Sequence, residues 1–543
     1  MNYSSPEEAK RNRKHLLLGL LSGLLLGLSF PPIPLFLLSF IALIPYFYVI
    51  EQKKSLSEIN RFTYAAMFIF NLITLYWVGS WTKEADTYLM ISGTVLMFFN
   101  PLLFLIPSSL YYFSRKIFNH KISLFLFPLY WAGYEYLYSI TDFRFPWLTL
   151  GNGLPYFNTF IQIADIIGAH GLTLLILHIN ILFYKTALSI YKKENWIRPA
   201  ALALTIFTFV IVYGIYRTSS YEASPKKIKV GLIQPNLNPW DKWQLGDLNN
   251  IIDLYFTLSD SAIAEGADIL LWPETALPVY LLSGTRREEA ERIFNYVDSA
   301  GISLLTGMPD ATFYFNKETA PETAKPTGSG NYLYTSYNSI LLFTPGSRDV
   351  QRYGKIKLVP FGEKVPLVDQ LPFLGDIFKW NVGITSWNTG EDTTIFKIKN
   401  EDDFTNIGGV ICIESIYPEF CTEFVQKGAE ILAVVTNDSW YGNSSGPYQH
   451  KEISALRAVE NRRSVLRAAN GGISCLIDPL GRTVASTTMF IRKYLVVEAE
   501  LNNTLTFYTK YPLLIPFISV AAILLIIFTN VYLVIKSKIR KKI

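Results

Sequence analysis

Charge is scarce in this 543-residue chain. Asp, Glu, Lys and Arg make up 17% of it and hydrophobic residues 50%, whereas a soluble domain carries about 25% charged residues. So apolar a chain places much of its length in lipid. Cysteine is rarer still. The odd count, Cys412, Cys421 and Cys475, argues against a disulfide framework, and neither a C-x-x-C pair nor a Cys/His cluster suggests zinc. At least one thiol is therefore free. No glycine-rich phosphate loop of the G-x-x-x-x-G-K type and no internal repeat occurs. The net charge of +5 comes from clustered basic residues and does not point to nucleic acid.

What the sequence has instead is long apolar runs. A helix crossing the hydrocarbon core needs about 20 mostly apolar residues. Seven candidates precede residue 220, at 15–31, 33–50, 62–80, 88–112, 122–140, 168–190 and 197–217, and an eighth covers 513–535. The first follows basic residues as a signal peptide would. A second apolar stretch comes almost at once, with no small-residue cleavage site between, so it is read as a retained helix. With the N-terminus in the cytoplasm, the inside segments carry Lys10, Arg11, Arg13 and Lys14; Lys53, Lys54 and Arg61; Arg115, Lys116 and Lys121; Lys185, Lys192, Lys193 and Arg198; and Lys536, Lys538, Arg540, Lys541 and Lys542. The short outside loops carry only Lys83 and Arg144. By the positive-inside rule this predicts eight spans, residues 221–510 outside, and both termini in the cytoplasm. The outside loop Phe143-Arg144-Phe145-Pro146-Trp147-Leu148 reads as a re-entrant segment or an aromatic belt. Glu135, within the fifth span, reads as a functional group or as a bundle-facing carboxylate.

Past Tyr221 the pattern changes. Val230–Gln234, Ile269–Trp272, Ser303–Thr306, Ser339–Phe343, Ile407–Ile411 and Ile431–Val435 read as strands, and 248–265, 286–300, 417–428 and 447–469 as helices. Alternation of this kind predicts an α/β domain. The stretch 311–336, rich in Pro, Gly, Thr and Asn, is expected to be a mobile loop insertion.

Three strand ends carry chemistry. Leu271-Trp272-Pro273-Glu274 delivers a carboxylate to the mouth of a sheet, where a general base is useful; a surface-loop glutamate would read the same. Tyr353-Gly354-Lys355-Ile356-Lys357-Leu358-Val359-Pro360-Phe361-Gly362-Glu363 offers a lysine to stabilise an oxyanion, and chemistry alone leaves Lys355 and Lys357 both open. Val410-Ile411-Cys412-Ile413-Glu414 brings a thiol to a turn ahead of a helix near Tyr417. A helix N-terminus and a nearby lysine both lower a thiol pKa and favour the thiolate nucleophile. Cys421 and Cys475 read as buried and inert.

Glu, Lys and Cys in this order at strand ends resemble the catalytic set of the nitrilase superfamily. With the spans around it, the chain resembles the bacterial apolipoprotein N-acyltransferases. The matching motifs are Trp-Pro-Glu ending at Glu274, the run Tyr353–Glu363, Cys-x-Glu at 412–414, Asn437-Asp438-Ser439-Trp440-Tyr441-Gly442, and Phe-Pro-Trp-Leu at 145–148. The resemblance implies a polytopic α-helical membrane domain of eight spans plus a nitrilase-like αββα sandwich. The expected divisions are 1–220 (membrane), 221–510 (catalytic, extracytoplasmic) and 511–543 (final span and basic tail). It implies Glu274 as general base, Lys355 as stabiliser of tetrahedral intermediates and Cys412 as nucleophile, supported by Glu363, Glu414, Trp243, Asn338 and Trp440. Ile413 departs from the aromatic residue often found after the nucleophile. The implied reaction is a ping-pong acyl transfer from a phospholipid to the α-amino group of a diacylglyceryl-modified apolipoprotein, at the bacterial inner membrane, without metal or dissociable cofactor. A membrane-tethered amidase acting on a small amide and a non-catalytic scaffold are the competing readings.

Overall fold

A computed structural model describes residues 6–81, 87–240, 248–328, 330, 332–368, 370–371, 387–399 and 404–540. The chain forms two compact units, one made of 1–79, 91–221 and 511–543, the other of 80–90 and 222–510.

The first unit is helical. Its helices are Pro6–Leu28, Ile44–Glu51, Leu56–Leu75, Thr87–Leu103, Leu105–Ser114, His120–Ser139, Ala164–Tyr191, Ile197–Ser219 and Leu514–Arg540, with shorter turns between them. Local sequence sets their ends. Ser55 and Glu58 form a reciprocal capping box that starts Leu56–Leu75. Gly168, at φ 62°, breaks the start of Ala164–Tyr191. Among the described residues five helical segments are long and apolar enough to cross a membrane: Leu56–Gly79, Leu89–Ser114, Ala164–Tyr191, Ile197–Ser219 and Leu514–Arg540. The expected spans at 15–31, 33–50 and 122–140 fall in segments that are more polar or shorter. Pro6–Leu28 opens on a charged stretch, Glu7 to Lys14. The run 33–50 splits into a 3-10 turn, Phe36–Phe40, and the short helix Ile44–Glu51, and His120–Ser139 carries His120, Lys121 and Glu135. Outward-facing side chains are apolar: Phe209 is 64% exposed, Leu525 62% and Phe528 66%. Water would not tolerate such a surface on a monomer, and lipid does.

The second unit is built on two sheets. Its strands are β1 (Lys227–Gln234), β2 (Ile269–Trp272), β3 (Ser303–Tyr314), β4 (Lys325–Pro326), β5 (Leu333–Phe343), β6 (Gln351–Gly354), β7 (Ile395–Lys399), β8 (Phe404–Ile411), β9 (Ile431–Thr436), β10 (Val465–Ala469), β11 (Cys475–Ile477), β12 (Thr483–Ser486) and β13 (Lys493–Glu500). One sheet runs β13-β1-β2-β3-β5-β4 with β6 on β5, and the other β12-β11-β10-β9-β8-β7. The pairs β1–β2, β2–β3, β8–β9 and β9–β10 are parallel. The sheets face one another, β1 against β10, β3 against β9 and β5 against β8. They approach so closely that a Cβ on Gly409 would lie 2.9 Å from Ile340 Cδ1. Helices Leu248–Ala264 and Arg287–Ala300 close the outside of the first sheet over a core that includes Ile252, Tyr255, Trp272, Ile293 and Phe343. Helices Pro418–Gln426 and Ser445–Asn461 pack on the second.

Two expectations are corrected. The helix read over 447–469 ends at Asn461, because Arg462 turns left-handed at φ 49°, and Val465–Ala469 is then a fully buried strand. The stretch 311–336 is not simply a loop insertion: β3 runs to Tyr314, β4 lies within it, and β5 begins at Leu333. The long β3–β5 pairing, in register from Leu304↔Phe343 to Tyr314↔Leu333, absorbs its polar residues into an extended hairpin.

Candidate active site

Glu274 and Cys412 stand at the carboxyl ends of parallel strands, one in each sheet, the usual place for ligands in α/β folds. Glu274 follows β2. Its turn packs so tightly on β3 that a Cβ on Gly307 would come within 2.7 Å of Glu274 Cα, and Ala276 N donates to Gly307 O at 2.6 Å. Glu274 Oε1 accepts from Asn338 Nδ2 at 2.8 Å and Lys355 Nζ at 3.3 Å, and Oε2 accepts from Asn437 N at 3.0 Å. The carboxylate is thus held from three sides by donors and presented as an acceptor.

Lys355 follows β6, where its backbone N–H still donates to Asn338 O at 2.8 Å. Its side chain is 1% exposed, and Nζ bridges Glu274 Oε1 and Glu363 Oε1 at 3.3 and 2.8 Å. Burial works against the ammonium, but the charges of Glu363 and Glu274 together outweigh it and hold its pKa well above the ordinary lysine value. Glu363 is itself fixed by Asn338 Nδ2 at 2.9 Å and Val359 N at 2.8 Å. Lys357 goes elsewhere, its Nζ lying over the Tyr417 and Phe420 rings.

Cys412 ends β8 in a left-handed conformation, φ 50°, at the head of a 3-10 turn, Cys412–Ile416. Glu414, fully buried, shapes this elbow. Its Oε2 accepts from Ile411 N at 2.8 Å, and its Oε1 from Tyr353 hydroxyl, Ile356 N and Lys357 N at 2.7, 2.7 and 3.0 Å. Of the three cysteines Cys412 is half-buried, whereas Cys421 and Cys475 are buried. The depressed thiol expected from the lysine and helix end is not found. Burial first, then the charge of Glu274, push the Cys412 thiol well above its ordinary value, and Lys355 offsets only part of this. The resting form is a thiol, whose proton a base must take. Burial raises the other two as well, Cys475 to about 11.

Asn338 therefore joins Glu274 to Glu363. Trp440 is half-buried, its ring edge-on to Trp240 at 4.8 Å, and its carbonyl accepts from Ser80 Oγ at 2.6 Å. Trp243 lies outside the described residues. Among those residues Cys412, Asp438 and His450 form the one group able to converge on a metal, with ligand atoms within 4.8 Å of each other. Arg467 Nη2 already neutralises Asp438 at 3.1 Å, which disfavours a cation there.

In the helical unit Glu135 faces the bundle interior. It accepts from Trp131 Nε1 at 3.1 Å, Leu150 N at 2.9 Å and Thr173 Oγ1 at 2.8 Å, with His170 Nδ1 at 3.6 Å. It thereby fastens the segment after Phe143, in which Phe145, Pro146, Trp147 and Leu148 are buried and Pro146–Leu148 forms a 3-10 turn. Glu135 also lines a cleft with Asn100, Phe104, Tyr134, Tyr138 and Phe145.

Comparison with known proteins places this geometry in a family. The family model for the apolipoprotein N-acyltransferase N-terminal domain matches residues 22–182, and that for carbon-nitrogen hydrolases matches 229–506. The apolipoprotein N-acyltransferase of Chlorobaculum tepidum is 33% identical over 513 residues, covering 93% of this chain and 94% of that one. The chain belongs to the apolipoprotein N-acyltransferase family. Members from Geobacter metallireducens (33% identical, 92% of each chain) and Rickettsia prowazekii (30% identical, 86% of this chain and 88% of that one) agree. A solved amidase from Nesterenkonia sp. overlays 54% of this chain and 94% of its own at 16% identity and a TM-score of 0.37, too distant a likeness to bear on substrate.

Sequence reading missed part of the network around Cys412 and Glu274. Asn437 and Asp438 stand within a matching motif without a role, and Ser415, His450 and Arg467 carry no signal of their own. The available signal was the string of polar residues in Ser445–Asn461, a helix buried along most of its length. Such residues need partners inside the domain.

Proposed function

We propose that this chain transfers an acyl chain from a membrane phospholipid to the α-amino group of a diacylglyceryl-modified N-terminal cysteine of apolipoproteins, through a thioester on Cys412. Family membership over nearly the whole chain supports the reaction class. The observation that carries the residue roles is the clamp of Lys355 between Glu274 and Glu363, beside a cysteine on a left-handed elbow.

Glu274 takes the Cys412 proton, and the thiolate attacks the sn-1 ester carbonyl. The Lys355 ammonium and the Ile413 N–H hold the resulting oxyanion. Collapse breaks the ester C–O bond, the leaving lysophospholipid oxygen receives the proton from Glu274, and the acyl group remains on sulfur. The neutral amine of the acceptor then attacks the thioester and gives a proton to Glu274. The second tetrahedral species expels the Cys412 thiolate, which recovers the proton, and the product is an amide. Glu363 and Asn338 fix Lys355 and Glu274, and Glu414 fixes the elbow.

Residues 1–220 form the membrane domain, 221–510 the catalytic domain on the periplasmic face, and 511–543 the last span and a cytoplasmic tail. The basic-residue bias supports this orientation. Both substrates are anchored by acyl chains, at about 0.8 kcal/mol per buried CH₂, so a membrane enzyme avoids extracting them. Incubating the protein with labelled phospholipid should give an acyl adduct on Cys412 by mass spectrometry. No adduct, with ammonia released from small amides instead, would establish the amidase reading.

A further inference from the structure

The left-handed backbone at Cys412 has to be held. A non-glycine residue there is strained and persists only where its surroundings enforce it. Glu414 secures the N–H side of the elbow, through Ile411 N. The carbonyl side is secured by a separate buried network. His450, on the helix Ser445–Asn461, places Nε2 3.0 Å from Cys412 O and 2.8 Å from Ser415 Oγ, whose hydroxyl also donates to Cys412 O at 2.8 Å. His450 Nδ1 lies 2.8 Å from Asp438 Oδ1, which also accepts from Thr436 Oγ1 at 2.9 Å. Asp438 Oδ2 accepts from Arg467 Nη2 at 3.1 Å, and Arg467 Nη1 donates to Ser454 Oγ at 2.8 Å.

The two ring nitrogens of His450 have different partners. A peptide carbonyl only accepts, so Nε2 carries a hydrogen to hold Cys412 O. A carboxylate only accepts, and Asp438 is ionised: burial opposes its charge, but His450 and Arg467 outweigh it and hold its carboxyl below the ordinary range. Nδ1 faces this carboxylate, with Arg467 Nη2 at 3.4 Å. His450, buried with 3% exposure, is thus fixed between the Asp438 carboxylate and the Cys412 carbonyl, while Arg467 anchors the carboxylate from behind.

We propose that His450 is a positioning residue for the nucleophile: anchored by Asp438 through Nδ1, it fixes the Cys412 carbonyl through Nε2 and so aims the thiol. It forms no bond to substrate. This rests on the reading of Cys412 as the acylated residue.

The two nitrogens can be tested apart. In His450→Asn the amide stands where Nδ1 does and keeps the Asp438 contact, but falls short of Cys412 O. In His450→Gln the amide reaches the Nε2 position and the carbonyl. With the full chain in phospholipid vesicles, His450→Asn should lower kcat for acyl transfer on the order of 10²-fold, the loss a displacement of about 1 Å can produce, with KM changed less than about twofold. It should slow iodoacetamide modification of Cys412, read by mass spectrometry, in parallel. His450→Gln should recover about tenfold of the lost rate. Ser415→Ala, which removes the other donor to the same carbonyl, should cost less alone and more than additively with His450→Gln. Equal losses in His450→Asn and His450→Gln, or a loss confined to KM, would overturn the proposal. Alkylation needs no lipid, which separates the two readings. If wild type forms no acyl adduct while His450→Asn still slows alkylation, the positioning role stands and the acyltransfer mechanism falls. If the adduct forms and His450→Asn keeps both rates, the positioning role falls.

Discussion

Replacing Glu363 by Gln probes the clamp on Lys355 with a change of one atom. Lys355 Nζ lies 2.8 Å from Glu363 Oε1, with 1% of the lysine side chain and 12% of the glutamate side chain exposed, so solvent screens this pair little. A glutamine cannot satisfy its surroundings in either orientation. With its oxygen toward Lys355 and Asn338, its NH₂ meets the Val359 N–H that Oε2 now receives at 2.8 Å; flipped, it meets Nζ and Asn338 Nδ2. The substitution weakens a charge-assisted bond worth about 1.5–3 kcal/mol and leaves one buried donor unpaired at about 1–3 kcal/mol. A loss of about 3 kcal/mol in stability of the sheet unit is the central expectation. The Lys355 ammonium, held by Glu274 alone, would shift toward it, and a misplaced oxyanion donor costs about 10²–10³ in rate. The sign with pH is fixed. The Lys355 pKa in the fold is raised above its ordinary 10.5, so the stabilisation is complete below that pH and is lost only as pH rises through the folded-state value. Between pH 6 and 9 the Glu363→Gln deficit should therefore be flat. Single-turnover acylation of Cys412 by labelled phospholipid, paired with thermal unfolding of the full chain in detergent, measures both effects. Wild-type acylation with an unshifted unfolding midpoint would refute the clamp.

Other consequences follow from neighbouring contacts. Because burial and Glu274 raise the Cys412 thiol, its iodoacetamide modification should keep accelerating up to at least about pH 9, whereas a plateau below about pH 8 would reveal a resting thiolate. Gly307→Ala drives a Cβ to within 2.7 Å of Glu274 Cα and should cost about 1–3 kcal/mol while lowering kcat more than it alters KM; an unchanged kcat would show that the turn yields freely. Glu135→Ala strips the acceptor from Trp131 Nε1, Leu150 N and Thr173 Oγ1 and should destabilise the helical unit by about 3 kcal/mol, with Glu135→Gln milder, as judged by unfolding in detergent. Under native conditions Cys421 and Cys475 should stay unmodified by a water-soluble maleimide that labels Cys412, and equal labelling would contradict their burial.

Much of the sheet unit was legible in the sequence because its central strands are uninterrupted apolar runs. β2 appears within the limits read from residues alone, and β8 and β9 within a few residues of theirs. The strands that escaped notice did so for physical reasons. β10 continues the apolar periodicity of the helix before it, and only the left-handed Arg462 separates the two. β7 and β12 lie at sheet edges with alternating or polar residues, and β13 owes its place to pairing with β1, some 260 residues away. The helical unit was harder to divide. Residues 33–50 have the composition of a span, but Pro32, Pro34 and Pro45 leave only a 3-10 turn and a short helix there.

The site was legible in its three strand ends and not in what joins them. Lys355 and Lys357 stand two residues apart, a spacing that would put both on one face of a continuing strand. The strand does not continue. β6 ends at Gly354, and Glu414 captures the N–H groups of both Ile356 and Lys357, which bends the chain away from β5 just after Lys355. One lysine is left buried between two carboxylates, and the other swings over Tyr417 and Phe420. The same carboxylate holds Ile411 N, one residue before the nucleophile. Glu414 therefore sets two things at once, which lysine enters the site and how Cys412 is presented. The second role is local, three residues along the chain, but the first is not encoded in the spacing of Cys-x-Glu, because it depends on backbone groups after β6 that the fold brings to Glu414.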